Sequence, residues 1–379
     1  MDFKKHNDEV TVTWQAYRSG NPTRVPMVLG ISSRFYLLDE QFNTGYLDYE
    51  SIFNNPRLMI ETQCKIQDFI RHNIPHDIEM GIPSDGWSVA IDFQNVFDAA
   101  WFGAKIIFPQ NQCPDTKPLY TDNKYELIEK GIPGPFDGIM AKVRQCHDAF
   151  YDLKNSFEYK GVGLKEISWT PGAFTDGPFT LLCQLRGAEN TCVDMLVDVE
   201  YYHQAMEIIT TAIINRIREW KKYLGSPEKE DGFAMADDFV QLISTNAYKE
   251  FVLPYHRRIY RAFSYSNNNF IHLCGDATRH FSTIVKELNV KKFDTGFPVD
   301  FTKIRCELGK DVEICGGPHV ELLLNGSQNE VAARTSDILR SGIMKGGKFI
   351  LREGNNLAPH TPLDNISTMY EVCKDIGKY

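Results

Sequence analysis

The chain has 379 residues, of which 42% are hydrophobic and 24% are charged, and its formal net charge is −9. This composition is typical of a soluble globular protein with a large core, while the acidic balance argues against a general nucleic-acid binder, whose surface is basic. The N-terminal segment lacks the apolar core of a signal peptide and no later window approaches the roughly 18 apolar residues of a membrane helix, so we expect a cytoplasmic protein without a membrane partner.

Short β-rich runs alternate with longer helical patterns along the chain, which predicts βα units and a parallel sheet. Two strands are expected in the first half, at 24–30 and within 82–93. Six more follow, at 164–169, 232–238, 269–274, 290–295, 311–315 and 348–353. Eight strands close a (β/α)₈ TIM barrel, so residues 1–379 are predicted to form a single barrel domain.

The segment from about 84 to 160 is too long for a plain βα connection and is rich in Asp, Pro, Phe and Trp. We interpret it as a lid-like insertion over the barrel mouth. The alternative is a surface insertion without a role at the site. Trp87 in this segment is a candidate substrate-binding residue, although such aromatic side chains more often belong to a core.

The strand ends carry the candidate functional residues, because the chemistry of a (β/α)₈ barrel takes place where its strands end. Polar or metal-binding side chains occur at five of the predicted ends, namely Asp237, Asp238, His272, Cys274, Asp294, Cys315 and Glu353. Packing alone does not require acidic, thiol and imidazole groups to converge on one face of the barrel.

The sequence His272-Leu273-Cys274 has three interpretations. The side chains can be two metal ligands, a base with a nucleophile, or a strand end with a small buried cysteine. In an extended strand the two side chains point to the same face, because the pleat has a period of two. The nine cysteines are scattered and odd in number, which indicates reduced thiols rather than a disulfide framework.

Several ordered motifs resemble the uroporphyrinogen decarboxylase superfamily. They are GPFTLLCQLRG at 177–187, MADDFVQLISTNAYKEFVLPYHRRI at 235–259, ICGGPHVELLLNGSQNEV at 314–331, GGKFILREGNNLAPHTPLDNI at 346–366 and RVPM at 24–27. True uroporphyrinogen decarboxylases carry an arginine-rich motif that binds substrate carboxylates. The matching region here is GISSRFYLL, in which Arg34 is the sole cation.

A second branch of the superfamily comprises zinc methyltransferases of the O-demethylase type, which exchange methyl groups with corrinoid proteins. Its members have His-x-Cys as zinc ligands at a strand end, and His272 and Cys274 match that position. Coenzyme M-linked members add a cysteine after the last strand, where this chain has Asn355. The resemblance therefore implies a zinc ion, a corrinoid (cobalamin) carried by a partner protein, and a small methylated substrate.

The third zinc ligand is left open by the sequence. Zinc accepts imidazole, thiolate and carboxylate, and a catalytic site keeps three protein ligands. Cys315 is the first choice, since a Gly-Gly that follows it leaves space for close approach, and Asp238, Asp237 and Glu353 are the alternatives. A buried thiol without a ligand role is an equal interpretation of Cys315.

The predicted function is transfer of a methyl group, from an aromatic methyl ether by preference, to the Co(I) corrinoid of the partner. Asp238 and Glu353 are the candidate catalytic residues, and Asp237, Trp87 and Asn355 the candidate substrate-binding residues. A metal-free decarboxylase of a tetrapyrrole or small carboxylate is the alternative, and a barrel that only binds a ligand is the third hypothesis. A homodimer is one expectation for the assembly.

Overall fold

A parallel barrel forms the centre of the molecule in the computed structural model, which describes residues 2–379. Five strands lie side by side in the order β10-β9-β8-β7-β6, and β1 pairs in parallel with β5. Together with a parallel bridge between Met27 and Leu351, these segments are the eight parallel barrel positions, so the (β/α)₈ prediction is confirmed. The strands are β1 Trp87–Ala90, β2 Ile106–Ile107, β3 Asp115–Thr116, β4 Glu158–Tyr159, β5 Val162–Trp169, β6 Ala234–Ala236, β7 Asn269–Leu273, β8 Val290–Thr295, β9 Glu313–Gly316 and β10 Phe349–Leu351.

Helices surround the strands. The α-helices are α1 Phe3–Arg18, α2 Ser33–Leu37, α3 Tyr49–Asn54, α4 Pro56–Asn73, α5 Phe97–Trp101, α6 Glu126–Lys130, α7 Ile139–Lys154, α8 Pro178–Arg186, α9 Ala188–Val197, α10 Val199–Tyr223, α11 Thr245–Ala247, α12 Leu253–Phe263, α13 Thr278–Leu288, α14 Phe301–Leu308, α15 Val320–Asn325, α16 Gln328–Ile338 and α17 Leu363–Ile376. Short 3₁₀ turns cover Gln94–Val96, Pro171–Ala173 and Asp238–Leu242, and π turns cover Tyr248–Val252 and Leu339–Ile343. The longest helix, α10, begins after Asp198, whose side chain accepts a hydrogen bond from the backbone N–H of Tyr201 and so satisfies one free donor of the first turn.

The predicted first strand is not a regular strand. Pro26 has no N–H to donate, although its carbonyl accepts a hydrogen bond from Leu351 N at 2.9 Å, and Val28 N donates to Leu351 O at 3.0 Å. The segment therefore lies beside β10 and occupies the first barrel position with only a bridge at Met27.

The segment 84–160 contains part of the barrel itself. Strand β1 lies at its start, and helix α7 near its end leads through β4 into β5. The span between β1 and α7, residues 91–138, holds short helices and a two-stranded hairpin made of β2 and β3. An insertion is therefore confined to that shorter span, and its role as a lid stays a prediction.

Two apolar clusters stabilise the fold. One surrounds β6 to β10 and the helices that follow them, and the other packs α3, α4, β1, α5 and α7 around Trp87 and Trp220. None of the helices in the described part of the chain combines the length and apolar character needed to cross a bilayer.

Candidate metal centre and mouth cavity

Asp238, His272 and Cys274 converge where β6 and β7 end. One donor atom from each side chain lies within 4.8 Å of the other two, and within residues 2–379 this is the one group of three or more metal-binding side chains that does so. His272 Nε2 lies 3.0 Å from Cys274 Sγ and 3.7 Å from Asp238 Oδ1. Asp238 is also fixed by Cys274 N–H, which donates to its Oδ1 at 2.7 Å. A nitrogen, a sulfur and an oxygen donor are a set that zinc accepts.

Asp294 on β8 orients the imidazole. His272 and Asp294 are register partners in neighbouring strands, and His272 Nδ1 lies 2.8 Å from Asp294 Oδ2. An N–H at Nδ1 that donates to this carboxylate leaves the Nε2 lone pair facing Cys274 and Asp238. Arg352 Nη1 also donates to Asp294, which holds the carboxylate in place. Such outer partners are a common feature of metal-binding histidines.

The charges around the cluster favour a cation. Burial opposes a charge on His272, but hydrogen bonds to Asp294 and Cys274 and the charge of Asp238 raise the pKa of His272 well above its usual value. Burial raises the pKa of Cys274, and the neighbouring His272 partly offsets that effect. The acidic groups thus attract positive charge to this position, and a divalent ion bound by the neutral imidazole would supply it.

Cys315 does not join the three converging side chains. It is the register partner of Asp294 on β9, so it faces the same side of the sheet, one strand further from His272. Burial and the Asp294 charge raise the pKa of Cys315 well above its ordinary value. The geometry therefore favours Asp238 over Cys315, the first choice from the sequence, as the candidate third ligand.

Asp237 is a structural residue, which corrects its assignment to substrate binding or metal ligation. It is fully buried, and its carboxylate accepts hydrogen bonds from Phe179 N at 3.1 Å and from both Thr180 N and Thr180 Oγ1 at 2.7 Å. His256 Nε2 lies 2.7 Å from its Oδ2. Asp237 thus anchors the start of α8 to the end of β6.

Trp87 and Asn355 make contacts other than those predicted for substrate-binding residues. Trp87 is fully buried in the second apolar cluster, and its indole N–H donates to Tyr159 O at 3.1 Å, so it packs in the core instead of contacting a substrate. Asn355 has a positive φ of 122° and makes a turn in which its N–H donates to Glu353 O. The adjacent Asn356 lines the mouth cavity in its place.

Glu353 lies fully buried at the end of β10. Its Oε1 accepts a hydrogen bond from Gly30 N–H at 2.6 Å, while Oε2 is buried without a partner. A Cβ at position 30 would lie 2.6 Å from Oε1, so glycine permits this approach. Burial, only partly offset by Arg352, raises the pKa of Glu353 to about 8.

A cavity of about 380 Å³ opens at the barrel mouth. Phe97, Trp169 and Phe174 supply aromatic walls, and Arg34, Asp176 and Asn356 supply polar groups. Such a mostly apolar cleft with a few polar groups is typical of a small-molecule site.

Asp176 is the site residue that the sequence analysis missed. It lines the mouth cavity, and burial and the charges of Asp98 and Asp238 raise its pKa well above the usual value. Its backbone N–H donates to Asp98, which is ion-paired with the buried Arg216. The Thr-Asp pair just before GPFTL, in the loop that follows the third barrel strand β5, is the signal that could have identified it.

Comparison with known proteins extends these observations. The family profile of uroporphyrinogen decarboxylase (URO-D) matches residues 92–376. A methylated-thiol–coenzyme M methyltransferase of Methanosarcina mazei is 27% identical over 206 residues, which cover 52% of this chain and 51% of that protein. A uroporphyrinogen decarboxylase of a Picosynechococcus species is 27% identical over 153 residues, which cover 38% of this chain and 41% of that protein. The matches thus span about half, or less, of these relatives.

The fold is also shared with a solved structure. A methyltransferase from Methanosarcina mazei superimposes with a TM-score of 0.66 over 97% of this chain and 98% of that chain, at 16% sequence identity. At this level of identity the similarity concerns the fold, and it agrees with the (β/α)₈ architecture.

Proposed function

The chain belongs to the uroporphyrinogen decarboxylase family, and from this premise we propose that it is a zinc-dependent methyltransferase. It moves a methyl group from a small methylated substrate, an aromatic methyl ether by preference, to the Co(I) corrinoid of a partner protein. The observation that carries the proposal is the convergence of Asp238, His272 and Cys274 at the strand ends.

The similarity to a methylated-thiol–coenzyme M methyltransferase supports methyl transfer over decarboxylation. The donor set supports zinc, since imidazole, thiolate and carboxylate together suit this ion and leave a position open. A bound zinc ion would act as a Lewis acid on the heteroatom that leaves the methyl group, which lowers the barrier without a proton transfer at that step.

The protein's own side chains bind the substrate and supply the proton. Phe97, Trp169 and Phe174 line the cavity and offer flat apolar walls to an aromatic ring. The overall reaction converts R–O–CH₃, Co(I) and one proton to R–OH and the methylated corrinoid, so the leaving oxygen must gain a proton. Glu353 Oε2, buried and without a partner, is the proposed carrier, because its carboxyl retains a proton near neutral pH.

The decarboxylase alternative is less well supported by the cavity. Among the described residues that line it, Arg34 is the one Lys or Arg side chain. A tetrapyrrole with several carboxylates would need more positive charge than this lining offers.

The test combines metal analysis with a transfer assay. We expect about one zinc per chain, and methylation of a Co(I) corrinoid protein by 2-methoxyphenol, detected in the visible spectrum of the corrinoid. The variants His272→Ala and Cys274→Ala should lose zinc and transfer together. Cys306→Ala, at an exposed cysteine, is the matched control and should keep both. Full transfer by a metal-free protein would contradict the proposal.

A further inference from the structure

A second cavity lies in the barrel wall, between β5 and β6. Its volume is about 460 Å³, and its lining includes His147, Tyr151, Ser168, Ala173 and Phe233. The two strands belong to different hydrogen-bonded sheets. Past the end of β5, one backbone hydrogen bond from Ala236 N to Thr175 O, at 3.3 Å, joins the two sides. The wall cavity therefore occupies a seam in the barrel.

Two aromatic side chains separate the wall cavity from the mouth cavity. Trp169 and Phe174 line both of them, and their rings pack edge to face with centroids 5.7 Å apart. Both side chains are partly exposed. A single layer of side chains thus divides the two spaces.

The backbone behind this layer is held firmly. Arg216 Nη2 donates to Phe174 O and its guanidinium is paired with the buried Asp98. In the turn between the two rings, Gly172 packs so closely on Trp220 that a Cβ there would lie 2.0 Å from the indole. Opening between the cavities therefore needs only a change of the Phe174 or Trp169 rotamer, which exposed side chains make within nanoseconds.

We propose that the wall cavity is the entry site for the methyl donor, which passes between Trp169 and Phe174 into the mouth cavity. This inference rests on the proposed function, from which it takes both the methyl donor and a corrinoid protein that covers the mouth. A side entrance lets the donor and its demethylated product exchange while that partner stays bound.

The lining of the wall cavity fits a small, flat, uncharged molecule. Its aromatic side chains offer apolar surface, and its buried Lys221 is neutralised by Glu230, whose Oε2 lies 3.0 Å from the ammonium nitrogen. An uncharged aromatic ether crosses such a lining without leaving an ion unpaired.

The first experiment measures access without catalysis. The probe is iodoacetamide, a small neutral reagent, and the readout is the rate at which Cys274 is alkylated in the chelator-treated protein, followed by mass spectrometry. Phe174→Ala removes one ring of the layer and should raise the alkylation rate about fivefold. The rate measures access of the reagent to the Cys274 thiol. Adding Ala173→Phe, which fills the wall cavity, should return the rate to that of the parent.

Two controls make the outcome decisive. Ala173→Ser leaves the cavity open and should not reverse the gain, and Ser168→Phe fills the cavity from its other side if Ala173→Phe fails to fold. If the alkylation rate of Cys274 stays raised in both filled variants, Phe174→Ala has only widened the mouth cavity. This result would overturn the inference.

The second experiment uses the complete protein with its zinc and the corrinoid protein. With 2-methoxyphenol, Ala173→Phe should lower kcat/KM about tenfold, because entry of the donor is slowed. Absence of turnover in the parent protein would reject the proposed function, while the alkylation result would still decide whether the side entrance exists.

Discussion

The pairing of His272 with Asp294 determines how well this site can hold a metal. Asp294 fixes the imidazole through Nδ1 and is itself fixed by Arg352. Asp294→Asn keeps the shape and removes the charge, so we expect zinc affinity to fall by about 10- to 100-fold. Competition with a coloured chelator measures the change. Asp311→Asn, at an exposed position, is the control, and equal affinities in both variants would contradict the assigned role.

The choice between Asp238 and Cys315 as third ligand leads to a second prediction at this scale. Cys315 lies outside the converging group, so Cys315→Ala should retain about one zinc per chain, whereas Asp238→Ala should bind it at least tenfold more weakly, in the range for loss of a ligand or its close partner. Metal content after dialysis against a weak chelator distinguishes them. Loss of zinc in Cys315→Ala alone would restore the ligand set first expected from the sequence.

Glu353 makes the stability of the protein depend on pH. Its folded-state pKa is raised from 4.5 to about 8, so the folded protein binds a proton that the unfolded chain releases above pH 4.5. The stabilisation is complete below pH 4.5 and is lost as the pH rises toward 8, at about 1.4 kcal/mol per pH unit. Glu353→Gln should remove this dependence. Urea unfolding midpoints of both proteins at pH 6 and pH 8.5 measure this pH dependence. An equal change of midpoint between the two pH values in both proteins would disprove the pKa shift of Glu353.

At the scale of elements, the end of β6 shows what the sequence could and could not predict. The pattern predicted the strand and the acidic pair that follows it. It could not assign the two carboxylates, because Asp237 leaves the strand with φ of −162° and ψ of 75° and thereby turns toward α8, while Asp238 faces β7. Adjacent acidic residues look alike in sequence, and only the backbone turn distinguishes the anchoring Asp237 from Asp238, the proposed ligand.

Asp237 should therefore affect folding rather than substrate affinity. Asp237→Ala leaves the first N–H groups of α8 and the buried His256 without their acceptor. We expect a loss of about 3 to 5 kcal/mol, as for breaking a buried pair. Chemical denaturation of the variant measures the loss. Asp231→Ala, at an exposed loop position, should change stability little, and a similarly small effect of Asp237→Ala would contradict the anchoring role.

Tertiary contacts also explain the elements that the sequence misassigned. The motif from 24 to 30 reads as a strand, but Pro26 limits it to a bridge with β10. The strand expected within 82–93 is β1, but it is only four residues long, and the nearby prolines and glycines left its bounds undefined, so the insertion was placed from about 84 and overlapped it. Trp87 was assigned to a substrate site for the same reason, since undefined strand bounds do not show which side chains face the core.

At the scale of the whole molecule, zinc should stabilise the protein, because it binds the folded state and not the unfolded state. The three proposed ligands come from two different strand ends, β6 and β7, so the unfolded chain has no such site. Added zinc should raise the melting temperature of the parent protein, by an amount that grows with the logarithm of the free zinc concentration. His272→Ala should show no such rise. Differential scanning calorimetry tests this, and equal shifts in both proteins would indicate binding elsewhere.

The seam between β5 and β6 has a consequence for how quickly the backbone exchanges its hydrogens with water. Alternate amides of β5 between Leu164 and Trp169 face the seam and, in the described chain, no ladder with β6 protects them. Strand β7 lies between β6 and β8 and is bonded on both edges. Deuterium should therefore enter these β5 amides by local fluctuation within seconds to minutes, while β7 should exchange only when the whole barrel unfolds.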